Sequence, residues 1–212
     1  MQEAMTRCYP FQKWILSSVV LSLIAGTTIA CETKSPTIEN SPENSPTPAA
    51  QVASAGVYRN DRLGFEFRYP EKNFVVDPQT KVPPTEELTI ATIEIWTQQQ
   101  YQKLKAGAYE GGTEYPANVQ VAVYQNPKQL DLQNWVAQNN RFSAPKQFKP
   151  TTIAGRSGIA FQSSGLYEHE HIAFRSADRE ITLITLAKIG DSNNDSAYQT
   201  AFDQIIRSFK KI

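Results

Sequence analysis

Apolar positions along this chain keep two different periods, and the changes of period mark the elements. Leu63–Tyr69 alternates strictly, with Phe65, Phe67 and Tyr69 on one face and Glu66 and Arg68 on the other. Side chains alternate along a strand, so this stretch predicts a half-buried β-strand. Pro70 closes it, because proline has no N–H to give to a ladder. Phe74–Asp77 predicts a short second strand ended by Pro78, and Lys81–Glu87 a loop. Leu88–Thr97 is longer and partly apolar on both faces, the pattern of a central strand. Gln98–Lys105 predicts a short helix, and the glycine-rich Ala106–Pro116 a mobile loop. Val119, Val121 and Val123 then share one face of a strand over Val119–Tyr124, which Asn126-Pro127 ends.

Downstream, Asp131 is placed to cap a helix running to about Asn140, with Leu132, Trp135 and Val136 as its apolar stripe. Thr151–Ala154 leads into Gly155. Ile159–Gln162, Glu168–Arg175 and Glu180–Lys188 predict three antiparallel strands, with a tight turn at Ser176–Arg179 between the last two. The final element has the strongest signal. Tyr198, Ala201, Phe202, Ile205, Ile206 and Phe209 recur at helical spacing, so a helix is expected from a cap at Asp195 or Ser196 to about Lys210. Lys210 and Lys211 suit the negative end of its dipole. Strands, a helix or two, more strands and a closing helix predict an α+β domain: a mainly antiparallel sheet flanked by helices, an αβα sandwich.

The N-terminal stretch changes the picture. Arg7 and Lys13 precede an uncharged apolar run, Trp14–Ala30, which then meets Cys31. Basic residues ahead of such a run are the pattern of an export signal. Thr28-Ile29-Ala30-Cys31 resembles the lipobox of bacterial lipoproteins, in which the cysteine is acylated and becomes the new N-terminus. Thr28 stands where leucine is usual. An uncleaved anchor helix and ordinary signal cleavage nearby are the alternatives. Residues 31–56 form a Pro-, Ser- and Thr-rich segment without an aromatic residue, which predicts a disordered tether. The expected organisation is therefore a signal over 1–30, a lipidated Cys31 with its tether over 31–56, and one domain over 57–212. That places the domain outside the cytoplasm on a membrane anchor, facing the periplasm or, in a cyanobacterium, the thylakoid lumen.

Composition narrows the function. Of 212 residues, Lys plus Arg and Asp plus Glu each total 21, so the formal charge is zero, and no basic footprint for nucleic acid is expected. The two cysteines, Cys8 and Cys31, both precede the domain, which excludes from it an internal disulfide, a cysteine zinc site and a thiol nucleophile.

Two stretches then carry a family resemblance. Tyr58-Arg59-Asn60 followed by Gly64-Phe65-Glu66-Phe67-Arg68-Tyr69-Pro70 resembles the opening signature of PsbP-like domains. Phe202–Lys210 (FDQIIRSFK) resembles their closing helix. Leu132–Val136 and Thr152–Arg156 are similar to the middle helix and to a strand entering a glycine. The tryptophan common after Tyr-Pro in that family is replaced here by Phe74. The resemblance implies the Mog1/PsbP-like fold and a scaffold or assembly role rather than catalysis. In the narrowest version the partner is a photosystem.

Candidate chemistry is sparse. His169 and His171 are the only histidines and share a strand face, so the pair is the one candidate for zinc or copper. Glu168 and Glu170 point the other way and are poor third ligands. The bland reading is a polar outer strand face. Otherwise no cofactor is expected. Gly155-Arg156-Ser157-Gly158 lacks the G-x-S-x-G spacing of a nucleophile elbow, and Gly111-Gly112-Thr113 lacks the lysine of a phosphate loop. Asp191–Asp195 reads as a loop plus cap. Tyr101, Tyr109 and Tyr115, around the glycine-rich loop, are the candidates for contact with a protein partner; the alternative is that they pack under that loop.

Overall fold

A computed structural model of the chain describes residues 55–79, 88–109 and 116–212, all within one compact unit, Ala50–Ile212. Cys31, the expected export segment and most of the expected tether lie outside the described residues, as do Lys81–Glu87 and Tyr115.

Among the described residues there are two antiparallel sheets and three helices. The smaller sheet has the order β1-β2-β10, from β1 (Ala55–Asn60), β2 (Phe65–Pro70) and β10 (Lys210–Lys211). The larger has the order β3-β4-β5-β9-β8-β7-β6. Its strands are β3 (Phe74–Gln79), β4 (Thr89–Thr97), β5 (Asn118–Gln125), β6 (Lys146–Ile153), β7 (Arg156–Ser164), β8 (Glu168–Ala177) and β9 (Glu180–Lys188). The helices are α1 (Gln98–Lys105), α2 (Leu132–Ala137) and α3 (Ser192–Ser208). The fold class is α+β with a mainly antiparallel sheet between helices, as the periodicity predicted.

Each face of the large sheet has its own core. On one face, Ile93 and Ile95 of β4, the Val119–Val121–Val123 row of β5, Phe174 of β8 and Ile184 and Leu186 of β9 meet Tyr198, Ala201, Phe202, Ile205 and Phe209. Phe65 and Phe67 of β2 join that core. On the other face, Ala122, Tyr124, Phe161, Ala173, Ile181 and Leu183 pack with Trp135, Val136 and Phe142. Apolar residues on both faces of β4 and β5 follow from this double covering.

Several elements depart from expectation, each for a local reason. β1 begins at Ala55, just ahead of the expected domain start at Val57. β6 begins at Lys146, ahead of the Thr152–Arg156 stretch whose resemblance implied a strand entering a glycine, and is an edge strand whose charges and Pro150 hide its period. α2 stops at Ala137 instead of Asn140. α3 starts earlier than expected, because the Asp191 carboxylate accepts from Asn193 N at 3.2 Å and caps it there. Asp195, expected to be the cap, sits inside the first turn and instead accepts from the backbone N–H groups of Ile189 and Gly190 at 3.2 and 2.9 Å. Lys210 and Lys211 do not end a helix. Phe209 leaves helical geometry at ψ 126°, and the two lysines pair with Glu66 and Phe65 of β2.

Candidate functional site

β8 carries both histidines, and period-two alternation aims them at the face covered by α2. His171 is 5% exposed and His169 is half-buried. The expected polar outer face is therefore a covered one. The Phe161 ring stacks on the His171 ring at 4.5 Å, and Phe142 meets it edge-on at 5.2 Å. The His169 and His171 rings lie nearly parallel with centroids 5.7 Å apart.

Strand register supplies the polar partners. β7 pairs with β8 so that Ser163 faces His169 and Phe161 faces His171, while β9 sets Thr185 opposite His171. The His171 Nε2 lies 2.8 Å from Ser163 Oγ, and Nδ1 lies 3.0 Å from Thr185 Oγ1. Both ring nitrogens are thus engaged by hydroxyls. Burial, helped by neighbouring His169, pushes the His171 imidazole down to about 3. Burial also lowers His169, opposed by a hydrogen bond with the Tyr167 backbone. Both rings are neutral at pH 7.

This row places a hydroxyl beside an imidazole, a pairing the sequence did not reveal because Ser163 lies on a different strand. Its chemistry is weak. A base held near 3 takes a proton from a serine hydroxyl far less readily than one poised near the working pH. The group on Nδ1 is a neutral threonine hydroxyl, which cannot stabilise an imidazolium as a buried carboxylate does. The row is suited to holding three strands in register.

Metal chemistry would need those nitrogens released. Register between β8 and both neighbours is unbroken from Glu168 to Phe174, so no bulge turns Glu168 or Glu170 toward the histidines. Glu170 instead pairs with Lys188. No group of three or more metal-ligating side chains occurs among the described residues. A shallow polar cleft with Lys146, Glu168, His169 and Lys188 on its walls adjoins the half-buried histidine.

The tyrosines separate. Tyr101, half-buried on α1, has the Lys105 ammonium over its ring at 5.8 Å. Tyr109 folds back on the same helix, and its hydroxyl donates to Oε1 of the buried Gln100. Burial raises its pKa. Tyr109 thus ties the segment after α1 back to the helix's first turn. Nearby, Tyr198, which the sequence offered only as an apolar stripe position, is fully buried and its hydroxyl accepts from Thr97 N at 2.9 Å.

No family model and no curated protein matches the sequence. Among solved structures, the chain is similar to the cyanobacterial PsbP (CyanoP) of Synechocystis sp. PCC 6803, determined in solution. The identity is 12% and the TM-score 0.47, over 79% of this chain and 99% of that one.

Proposed function

We propose that this chain is a membrane-tethered, extracytoplasmic lipoprotein whose PsbP-like domain binds or helps assemble a membrane protein complex without catalysing a reaction. The observation that carries the reading is the meeting of the two stretches that bear the sequence resemblance. They stand at opposite ends of the domain, yet β2 and the close of α3 form one unit. The Phe65 and Phe209 rings stack at 4.9 Å, and Ser208 Oγ accepts from Arg68 N at 2.8 Å. Lys210 then bridges to Glu66 at 2.9 Å. The resembling residues serve one structural purpose, which is what a family signature requires.

The non-enzymatic part rests on the Ser163–His171 pair, whose base is depressed too far for proton abstraction near neutrality. The tether rests on the sequence, in the uncharged run before Cys31 and the Pro-rich segment after it. A photosystem is the narrowest version of the partner and rests on family analogy. Affinity capture of the full chain from detergent-solubilised membranes, after cross-linking, tests the reading. A reproducible membrane complex is expected; recovery of the chain alone argues directly against it.

The second reading, zinc or copper held by His169 and His171, draws support from their shared face and neutral state. Calorimetry with each metal, on the chain and on a His169→Ala/His171→Ala variant, tests it. An unchanged titration rejects it.

A further inference from the structure

Strand register gives the small sheet one covered face and one open face. Tyr58 of β1 and Phe65 and Phe67 of β2 turn inward and join the core beside Phe209. Val57, Arg59, Glu66, Arg68 and Lys210 alternate with them and share the opposite face. Val57 pairs with Arg68, while Arg59 and Lys210 both pair with Glu66. Val57 is 54% exposed in the middle of β1, and Arg59, Arg68 and Lys210 are exposed around it.

The charge on this face is one-sided. Glu66 lies between Arg59 at 3.3 Å and Lys210 at 2.9 Å, so one carboxylate meets two cations. The Arg68 side chain has no ion pair among the described residues. In the turn after β1, Asp61 also holds Arg59 at 2.8 Å, and the adjacent exposed Arg62 offsets it. Four cations thus stand against two carboxylates around an exposed valine. Apolar surface rimmed by Arg and Lys suits an anionic bilayer, because the apolar part enters the headgroup boundary and the long basic side chains reach the phosphates. Chain continuity points the same way. β1 is the first element among the described residues and starts at Ala55, so only residues 32–54 separate this sheet from Cys31. Even fully extended, they span about 80 Å. A tethered face meets its surface at high effective concentration, so a weak attraction is enough to hold it. Each Lys or Arg brought to an anionic surface strengthens attachment about fivefold.

We propose that the open face of the β1-β2-β10 sheet docks on the anionic lipid surface of the membrane that carries the anchor. Val57 sits at headgroup level, and Arg59, Arg68 and Lys210 lie against lipid phosphates. The inference rests on the tethered reading and adds an orientation to it: the small sheet faces the bilayer.

The test uses the chain extracted from its membrane and reconstituted with vesicles of phosphatidylcholine or, separately, of an equal mixture with phosphatidylglycerol. Flotation reads the anchor, and lysine acetylation followed by mass spectrometry reads the docking. Lys210 should react about fivefold more slowly on the anionic vesicles, whereas Lys146 on the edge strand β6 should keep one rate on both. High salt should release the protection. Arg68→Glu reverses the charge of an exposed side chain without an ion pair, and it should restore most of the Lys210 reactivity at an unchanged melting temperature. Val57→Ser should restore part of it. Equal Lys210 reactivity on the two vesicles overturns the docking; the anchor then stands or falls on flotation with the neutral ones. Undiminished protection in a folded Arg68→Glu also overturns it. Protection of Lys210 in native membranes but not on protein-free anionic vesicles assigns the face to a protein partner and overturns it as well.

Discussion

His171 shows how one residue couples burial to pH. An ordinary histidine takes up its proton near 6.5, whereas this one is held down to about 3 by burial. Between those values the unfolded chain binds a proton that the folded chain refuses. Stability contributed here is complete above pH 6.5 and is lost as pH falls toward 3. The expected loss is about 1.4 kcal/mol at pH 5.5, one unit below the unfolded value. Urea denaturation at pH 7.5 and 5.5 measures it, and His171→Gln should show a smaller difference between the two. An equal difference in the variant would mean that His171 is already charged in the fold. Ser163→Ala removes one partner of the ring and should cost about 1 kcal/mol at pH 7.5. That the two histidines share a face was legible from the spacing alone. That the face is covered was not, because Phe142 reaches it from the loop after α2 and Ser163 from a neighbouring strand. Register and packing are properties of pairs of segments, which a single strand's pattern does not contain.

At the scale of elements, legibility followed the strength of the apolar period. α1 was predicted to the residue, because Thr97 closes a strand pattern and also caps the helix, accepting from Gln100 N at 3.3 Å. β6 and β10 were missed because their sequences are dominated by lysine, threonine and proline, and tertiary pairing alone makes them strands. The link between α1 and α3 was hidden for a similar reason. Tyr198 looks like one more stripe residue, yet its hydroxyl is the acceptor for Thr97 N. Tyr198→Phe keeps the ring and removes that acceptor, so it should cost about 1–3 kcal/mol, measured by chemical denaturation. Amide exchange at Thr97 should quicken at the same time. Phe209→Ala removes the ring that joins β2, β8 and α3 and should cost about 3–5 kcal/mol. Gly158 on β7 is a tighter constraint. A Cβ there would meet the Ala173 carbonyl oxygen at 2.8 Å, a backbone atom with no room to retreat. Gly158→Ala should therefore destabilise by about 1–3 kcal/mol, although the residue lies in an ordinary strand.

For the whole molecule, anchoring and folding are expected to be independent, because nothing after Cys31 contains a cysteine and the described core is built without one. Cys31→Ser separates the two. If Cys31 carries the lipid, the variant should lose its acyl chains. The domain should then leave the membrane fraction or remain as a precursor of higher mass, because stable attachment requires more than one acyl chain. Its melting temperature, measured on the solubilised chain, should match the parent's, since the substitution touches no part of either core. Intact mass spectrometry of the membrane-extracted parent supplies the positive measurement: a mature chain beginning at Cys31 with added acyl mass. A variant that stays in the membrane at parental mass would instead assign the attachment to Trp14–Ala30 as an uncleaved helix.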